Sequence, residues 1–352
     1  VSSLAPPKLS LSFAGAPVWM STSLSLLFLF FSTRLSQVLV LSHIIFWFHQ
    51  HKKMKLFDEW TLLLLFLLLS TMIDLTSSED IMVTVAALHF GPHERDSVYN
   101  IQKLDSLLKQ ASSTSSSSSV HGAQLAVMTE LALTGYSFWS RDQIASCAES
   151  LDNSSTLTHF ASIAQSTGMD ILVTLPIKDP QLGLFYNSAV MVLSSGDINH
   201  QHYFKQNHLL ESSYNSDSFK GIQLIQTSFG FTAAVLICSD SFYSMLVRAA
   251  AVMGADVLLA PINTGITPEQ FQVMAMENDL PIVVANRYGS TLTPPAFPEV
   301  FTQDSFVLSS GEVPISFDYG TMSMIVDRDG TILSSTTAQV DTVITATLNL
   351  TV

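Results

Sequence analysis

Three segments of the sequence each place a residue able to do covalent or acid–base chemistry directly after a stretch that predicts a strand. The first segment is apolar up to Ile237 and then gives Cys238. The next three residues, Ser239, Asp240 and Ser241, are of types that cap helices. We therefore predict that Cys238 lies on a strand-to-helix elbow, where the positive end of a helix dipole favours the nucleophilic thiolate. A lone cysteine in an apolar run is more often a small buried hydrophobic residue, so this prediction depends on partners elsewhere.

Candidate partners for the thiol follow two other predicted strands. Glu130 comes after the apolar residues 125–128, and Gly135 allows the chain to turn sharply a few residues later. Lys205 follows two aromatic residues that would remove water from its ammonium group. Taken alone, a glutamate at a strand end and a lysine are more often solvated surface residues. Only their combination with Cys238 indicates a site.

The elements that must position these residues alternate between strands and helices. Residues 82–90 alternate and are rich in Val and Ala, which predicts a buried strand, and residues 96–110 carry apolar side chains at helical spacing. Further strands are predicted near 125–128, 170–176, 188–193, 223–228, 232–237, 257–260 and 282–285, and helices near 156–166, 242–253 and 268–278. This alternation predicts an α/β domain. Strands 188–193 and 202–204 follow each other without a helix and add an antiparallel hairpin.

The composition excludes several classes of function. With 15 lysines and arginines and a net charge of -14, no segment offers the basic face that a nucleic acid requires. The two cysteines, Cys147 and Cys238, are too few for a disulfide framework or a cysteine-rich zinc site, and the histidines show no paired metal spacing. We therefore expect no metal, no other cofactor and no nucleic-acid partner.

Much of the apolar character lies near the N-terminus. Residues 1–53 form an apolar segment that is either an imperfect membrane span or lies outside the mature protein. Residues 54–78 resemble a signal peptide or signal anchor, with a short charged region, a compact apolar core and small residues after it. This pattern predicts the secretory pathway, with a secreted or membrane-anchored product, whereas translation from Met82 would give a cytoplasmic one. Residues 80–352 are expected to form the main domain.

The three segments, taken in order, resemble the motifs of the carbon–nitrogen hydrolase (nitrilase) superfamily. The sequence TELALTGY at 129–136 is similar to that family's Glu motif, YFKQNHL at 203–209 to its Lys motif, and LICSDSF at 236–242 to its Cys motif. A single motif of this kind would be weak evidence. Three in the same order, with familiar spacing, identify a member of the family.

The segments around the motifs carry the same resemblance over roughly residues 82–350. The sequences RAAAVMGADVLLAP at 248–261 and AMENDLPIVVAN at 275–286 are similar to the helix and strand segments that follow the family's nucleophile, and MSMIVDRDGTIL at 322–333 is similar to its closing hairpin. The resemblance implies a four-layer αββα sandwich. Such domains often pair through their sheets, so we also expect a homo-oligomer.

The resemblance implies a role for each residue of a Glu-Lys-Cys triad. Cys238 attacks the carbon of a small-molecule amide or nitrile and forms a thioester, with Glu130 as the general base. Lys205 stabilises the oxyanion, and the backbone N–H of Ser239 is the expected second donor. A further glutamate supports the substrate in the family, and Glu211 is the candidate here, although its spacing from Lys205 is short by about two residues.

One departure from the family indicates the kind of substrate. Many relatives that act on acids carry an arginine four residues after the nucleophile, where this chain has Phe242. Without that arginine the pocket lacks a bidentate clamp for a carboxylate. Tyr136, Phe138 and Trp139 would join Phe242 in an apolar, aromatic pocket for a neutral substrate, although each ring fits the core equally well. Two alternatives stay open: an acyltransferase that uses the same thioester, and a non-catalytic binding protein with this fold.

Overall fold

The computed structural model of the protein describes residues 80–113, 122–136, 138, 141–208, 221–293, 315–318 and 322–352. The predictions for residues 1–53 and 54–78, and those for Trp139 and Glu211, lie outside these residues. Within the described part of the chain, no helix has both the length and the apolar character needed to cross a membrane.

The described residues form fourteen strands and five α-helices. The strands are β1 (Asp80–His89), β2 (Leu125–Val127), β3 (Asp170–Asp179), β4 (Leu184–Val192), β5 (Ile198–Phe204), β6 (Leu224–Gln226), β7 (Thr232–Val235), β8 (Val257–Ile262), β9 (Ile282–Asn286), β10 (Ser290–Thr293), β11 (Ile315–Asp318), β12 (Ser323–Val326), β13 (Ile332–Thr336) and β14 (Thr342–Thr351). The helices are α1 (Ser97–Ser112), α2 (Arg141–Cys147), α3 (Ser155–Thr167), α4 (Ser244–Val252) and α5 (Pro268–Asn278). Two short 3-10 turns cover Leu151–Asn153 and Cys238–Phe242.

Two mixed six-stranded sheets organise these elements. The first sheet has the order β14-β1-β2-β3-β4-β5, and the second has the order β13-β12-β9-β8-β7-β6. In the first sheet β2 is parallel to β3, and two antiparallel pairings then bring β5 back to the direction of β2. In the second sheet β7, β8 and β9 are parallel. The carboxyl ends of β2 and β5 therefore lie at one edge of the first sheet, and those of β7, β8 and β9 at one edge of the second.

Alternation along β1 shows how the layers form. Val83 and Val85 belong to the apolar cluster that the first sheet shares with the second sheet and with α4 and α5. Ala86 and Leu88, on the opposite face, pack with α1 and α3. Because successive strand residues point to opposite faces, one strand contacts both a sheet and a helical layer. The result is a four-layer αββα arrangement, as the family resemblance implied.

Most predicted elements lie close to their predicted positions, but α2, β10, β11 and β14 were not predicted. The missing β14 is the largest of these differences, because it pairs along its whole length with β1. The helix predicted over 242–253 begins only at Ser244, because the 3-10 turn comes first. The hairpins formed by β4 with β5 and by β12 with β13 are confirmed.

Candidate active site

Glu130 lies in a turn that follows β2 and is held in place by the neighbouring strand β3. The Thr174 hydroxyl donates a hydrogen bond to the Thr129 carbonyl and accepts one, at 3.1 Å, from the backbone N–H of Ala132. These bonds lie on either side of Glu130, whose side chain is buried. The turn continues through Leu131, which has a φ of 49°. The position of the carboxylate is thus set by backbone contacts rather than by a flexible loop.

The end of this turn requires the glycine that the sequence indicated. Gly135 has a φ of 70°, and a Cβ at this position would collide with the carboxylate of Glu94. That carboxylate accepts the backbone N–H of Tyr136 at 2.6 Å through one oxygen and contacts Arg287 Nη1 at 3.1 Å through the other. Arg287 follows β9, so the Glu130 turn is fastened to the second sheet.

Lys205 and Glu130 form a buried ion pair at the edge of the first sheet. The distance from Lys205 Nζ to Glu130 Oε1 is 2.8 Å, and the lysine side chain is only 1% exposed. The same oxygen accepts a hydrogen bond of 2.7 Å from Asn187 Nδ2, while the Asn187 carbonyl accepts the backbone N–H of Lys205 at 2.8 Å. The ammonium also lies 6.0 Å from the centre of the Tyr136 ring. Two of the three predicted triad residues are therefore in direct contact.

Cys238 lies directly after β7 in a constrained backbone conformation. Its φ is 48°, a value that is rare for residues other than glycine, and its side chain is 5% exposed. It begins the 3-10 turn, whereas α4 begins only at Ser244. The predicted elbow is present, but it leads into a 3-10 turn rather than directly into an α-helix. The effect of a helix dipole on the thiol stays a prediction.

Asp240 joins the cysteine turn to the lysine segment, which corrects its predicted role as a helix cap. Its Oδ2 accepts hydrogen bonds from the Tyr203 hydroxyl at 2.7 Å and from the backbone N–H of Gln206 at 2.8 Å. Its Oδ1 accepts two from Asn207, one from the backbone at 2.8 Å and one from the side chain at 2.7 Å. Burial, together with the Asp240 charge, raises the pKa of Tyr203, so its hydroxyl stays protonated and donates. No helix N–H is needed, because the residues around Lys205 supply all four donors.

The other predicted site residues fall into different places. Ser239 lies in the turn, and its hydroxyl donates to the Asn207 carbonyl, which adds a second link between the two motifs. The ring of Phe242 packs edge-on against Phe271 in α5, with 6.1 Å between ring centres. Phe138 lies in a small apolar cluster with Leu131 and other residues, apart from the two main clusters. Contact of Phe242 with a substrate therefore stays a prediction, as does the oxyanion role of the Ser239 N–H.

Sequence reasoning did not identify two residues that hold the site together. Asn187 is a fully buried polar residue in the otherwise largely apolar strand β4, and Asp240 is a fully buried carboxylate beside the nucleophile. The signal for Asn187 was available, since a buried amide in a strand needs a hydrogen-bonding partner. Nothing local distinguished Asp240 from a helix cap. Within the described residues, no group of three His, Cys, Asp or Glu side chains is placed to hold a metal ion.

Comparisons with known proteins identify the family and support the fold. The sequence profile of the carbon–nitrogen hydrolase family matches residues 84–352. A nitrilase from Pyrococcus abyssi is 31% identical over 212 residues, which are 59% of this chain and 76% of that protein. The crystal structure of Saccharomyces cerevisiae Nit3, a member of branch 10 of the nitrilase superfamily, gives a TM-score of 0.61 at 18% identity and covers 78% of this chain and 92% of that one. An amidase from Nesterenkonia sp. AN1, solved in complex with butyramide, gives a TM-score of 0.57 at 18% identity and covers 77% and 92%.

The role of Asp240 can be tested with Asp240→Asn. In this variant the NH2 group of the asparagine side chain would face at least one of the N–H or O–H groups that now donate to Asp240. Each buried donor that loses its acceptor lowers the unfolding free energy by about 1–3 kcal/mol. We expect a larger loss of unfolding free energy than in the control Tyr203→Phe, which removes one hydrogen bond worth about 1 kcal/mol. We also expect kcat to fall at least roughly tenfold, because a displacement of Lys205 lowers transition-state stabilisation. Urea unfolding and steady-state kinetics measure both. Equal stability and equal kcat in the two variants would contradict this role.

Proposed function

The chain belongs to the carbon–nitrogen hydrolase family, and from that premise we propose that it hydrolyses a non-peptide C–N bond of a small amide or nitrile through a thioester on Cys238. The observation that carries the proposal is the buried contact of 2.8 Å between Lys205 and Glu130. Burying an ion pair costs desolvation free energy, so such a pair is weak evidence for a purely stabilising role. Because this pair lies next to the turn that carries Cys238, a catalytic role accounts for it better.

In the first half of the proposed reaction the substrate is converted to a thioester. The Cys238 sulfur bonds to the carbonyl carbon of an amide while the thiol proton passes to Glu130. The oxygen becomes an oxyanion, which Lys205 and the backbone N–H of Ser239 stabilise. The tetrahedral intermediate then loses its C–N bond, and Glu130 returns the proton to the nitrogen, so that ammonia or an amine leaves.

In the second half Glu130 acts as a base again. It takes a proton from a water molecule, whose oxygen attacks the thioester carbon, and the C–S bond breaks to release a carboxylic acid and restore the Cys238 thiol. A nitrile enters the same cycle as a thioimidate, which one water molecule converts to the thioester with loss of ammonia. An acceptor amine in place of the second water would give acyl transfer, the alternative that the sequence left open.

The surroundings of Glu130 support its proposed role as a group that first accepts a proton and later donates it. Its Oε1 is held by Lys205 at 2.8 Å and by Asn187 at 2.7 Å. Two donors on one oxygen fix the plane of the carboxylate, which a proton carrier needs in order to serve first the thiol and then the water. An ammonium group in direct contact favours the ionised form of a carboxylate, which is the form that accepts a proton.

The substrate we propose is a neutral amide or nitrile. Phe242 stands where acid-selective relatives carry an arginine, and Arg287, a cation near the site, is already engaged by Glu94 at 3.1 Å. The Nesterenkonia amidase, which shares this fold, was solved with butyramide, a small neutral amide. These points favour an uncharged ligand, although they leave its identity open.

We also propose a cellular location and an oligomeric state for the protein. The pattern of residues 54–78 supports entry into the secretory pathway and membrane anchoring if the segment is retained. The family resemblance supports a homo-oligomer. Sequencing the N-terminus of the mature protein tests the first point, and a mature chain that begins at Met82 would contradict it.

The triad predicts large and non-additive kinetic effects. Glu130→Gln and Lys205→Ala should each lower kcat/KM by roughly 10²- to 10⁴-fold, because a proton carrier and an oxyanion donor each contribute about that much. The double variant should be little worse than either single one, since the two act as a unit. Steady-state kinetics with butyramide measures this, with the exposed pair Glu269→Gln and Lys109→Ala as controls. Full activity in either triad variant would remove that residue from the mechanism.

The absence of a carboxylate clamp at position 242 predicts selectivity between substrates of similar size. Butyramide should have a kcat/KM at least about tenfold above that of the monoamide of succinate, because a carboxylate must lose its water beside Glu130 while Lys205 and Arg287 are already paired with other carboxylates. The comparison needs only the wild-type enzyme at neutral pH. If the acid is preferred, Arg287 or Lys220 reaches the substrate and the argument from Phe242 is wrong.

A further inference from the structure

Asn263 is a buried amide whose hydrogen-bonding groups are not used within the protein. Its side chain is only 3% exposed, and among the described residues neither Oδ1 nor Nδ2 has a hydrogen-bond partner. Buried polar side chains are nearly always paired, because an unpaired group loses its water without replacement. The buried Asn100, by comparison, makes three hydrogen bonds to backbone groups of His93 and Leu133, and Asn286 pairs its Nδ2 with the Thr264 carbonyl. The two unpaired side-chain atoms of Asn263 therefore need an explanation.

The position of Asn263 places it beside the nucleophile. It directly follows β8, and this strand lies against the turn that begins with Cys238. The pairing of β7 with β8 continues beyond Val235, since the backbone N–H of Leu236 donates to the Leu259 carbonyl at 3.1 Å. Ligands of α/β sheets bind at the carboxyl ends of parallel strands. Asn263 stands at that edge, between the ends of β7 and β9.

Hydrogen bonds hold the backbone on both sides of Asn263, so this residue does not lie in a loosely held loop. The Ile262 carbonyl accepts the backbone N–H of Arg287 at 3.3 Å, and the Thr264 carbonyl accepts Asn286 Nδ2 at 2.8 Å. Both neighbours of Asn263 are therefore tied to the end of β9. A side chain held in this way, with a donor and an acceptor unused, suits a ligand that supplies one of each.

We propose that Asn263 is a substrate-binding residue that takes up a second, uncharged carboxamide of the substrate, beyond the bond that is cleaved. This inference rests on the proposed function and narrows its substrate class. A carboxamide offers an acceptor to Nδ2 and a donor to Oδ1 at the same time. A carboxylate would face Oδ1 with a negative charge, and an apolar tail would leave both atoms unpaired. The structure thus favours a diamide over a simple aliphatic amide.

The test compares succinamide, which carries two carboxamides, with butyramide, which carries one on a chain of the same length. The wild-type ratio of kcat/KM for succinamide over butyramide should exceed one, and in Asn263→Leu this ratio should fall by roughly 10- to 100-fold, because two hydrogen bonds are lost. Asn263→Asp, of nearly the same size, should also lower the ratio, since it removes the donor. A wild-type ratio below one, or a ratio that both variants retain, would overturn the proposal.

Stability separates a ligand-binding role from a structural one. Leucine has the same branching and the same number of side-chain heavy atoms as asparagine, so Asn263→Leu should leave the unfolding free energy of the ligand-free protein unchanged or raise it, since it removes unpaired polar atoms. The control Asn100→Leu should lower it, because backbone groups of His93 and Leu133 lose partners. If Asn263→Leu is destabilised to the same extent and keeps the substrate ratio, Asn263 binds an ordered water instead, and the proposal falls.

Binding without turnover distinguishes failure of this inference from failure of the proposed reaction. Isothermal titration calorimetry measures the dissociation constant of succinamide in Cys238→Ala. This constant should be roughly 10- to 100-fold higher in the double variant that also carries Asn263→Leu. Succinamide binding with this dependence, but no hydrolysis by the wild type, would sustain the binding site and reject the hydrolase. Hydrolysis of butyramide with no dependence of succinamide binding on Asn263 would sustain the hydrolase and reject the binding site.

Discussion

The buried ion pair between Lys205 and Glu130 is the interaction on which the arrangement of the site depends. Removing two charges from water costs several kcal/mol for each ion, so the pair persists only where its geometry and its other hydrogen bonds are good. Asn187 supplies one such bond to Glu130 Oε1 at 2.7 Å and also receives the backbone N–H of Lys205. These contacts link the ends of β2 and β5 to β4. A shift in any of these strands would leave a charge buried without its partner.

The second sheet adds Cys238, the proposed nucleophile, and Asp240 connects its turn to the residues around Lys205. This carboxylate has no exposed surface, and its four hydrogen bonds come from Tyr203, Gln206 and Asn207, the residues on either side of Lys205. The first sheet therefore holds the base and the cation, while the second holds the thiol and a carboxylate that anchors the cation's segment. The proposed reaction therefore needs both sheets, since neither sheet carries all three residues of the predicted triad.

The sequence predicted well what depends on local pattern and poorly what depends on distant partners. Alternation and helical spacing located β1 and α1, and three strand ends together with the family resemblance indicated Glu130, Lys205 and Cys238 as candidates. The α-helix was expected too early, because Asp240 looks like a helix cap until the donors more than thirty residues away are known. For the same reason β14 was missed, since its pairing with β1 joins the two ends of the described domain. Asn263 carried no local signal, because only burial and the lack of a partner distinguish it.

The account rests on Cys238 as the residue that carries the acyl group, and intact-protein mass spectrometry tests this most directly. Protein mixed with butyramide and quenched in acid during turnover should show a fraction with one added butyryl group, and peptide mapping should place it on Cys238. The same adduct should form in Cys147→Ala, because Cys147 is the last residue of α2 and not part of the turn that follows β7, and should be absent from Cys238→Ala. Turnover by Cys238→Ala, or an acyl group found on Cys147, would contradict the account.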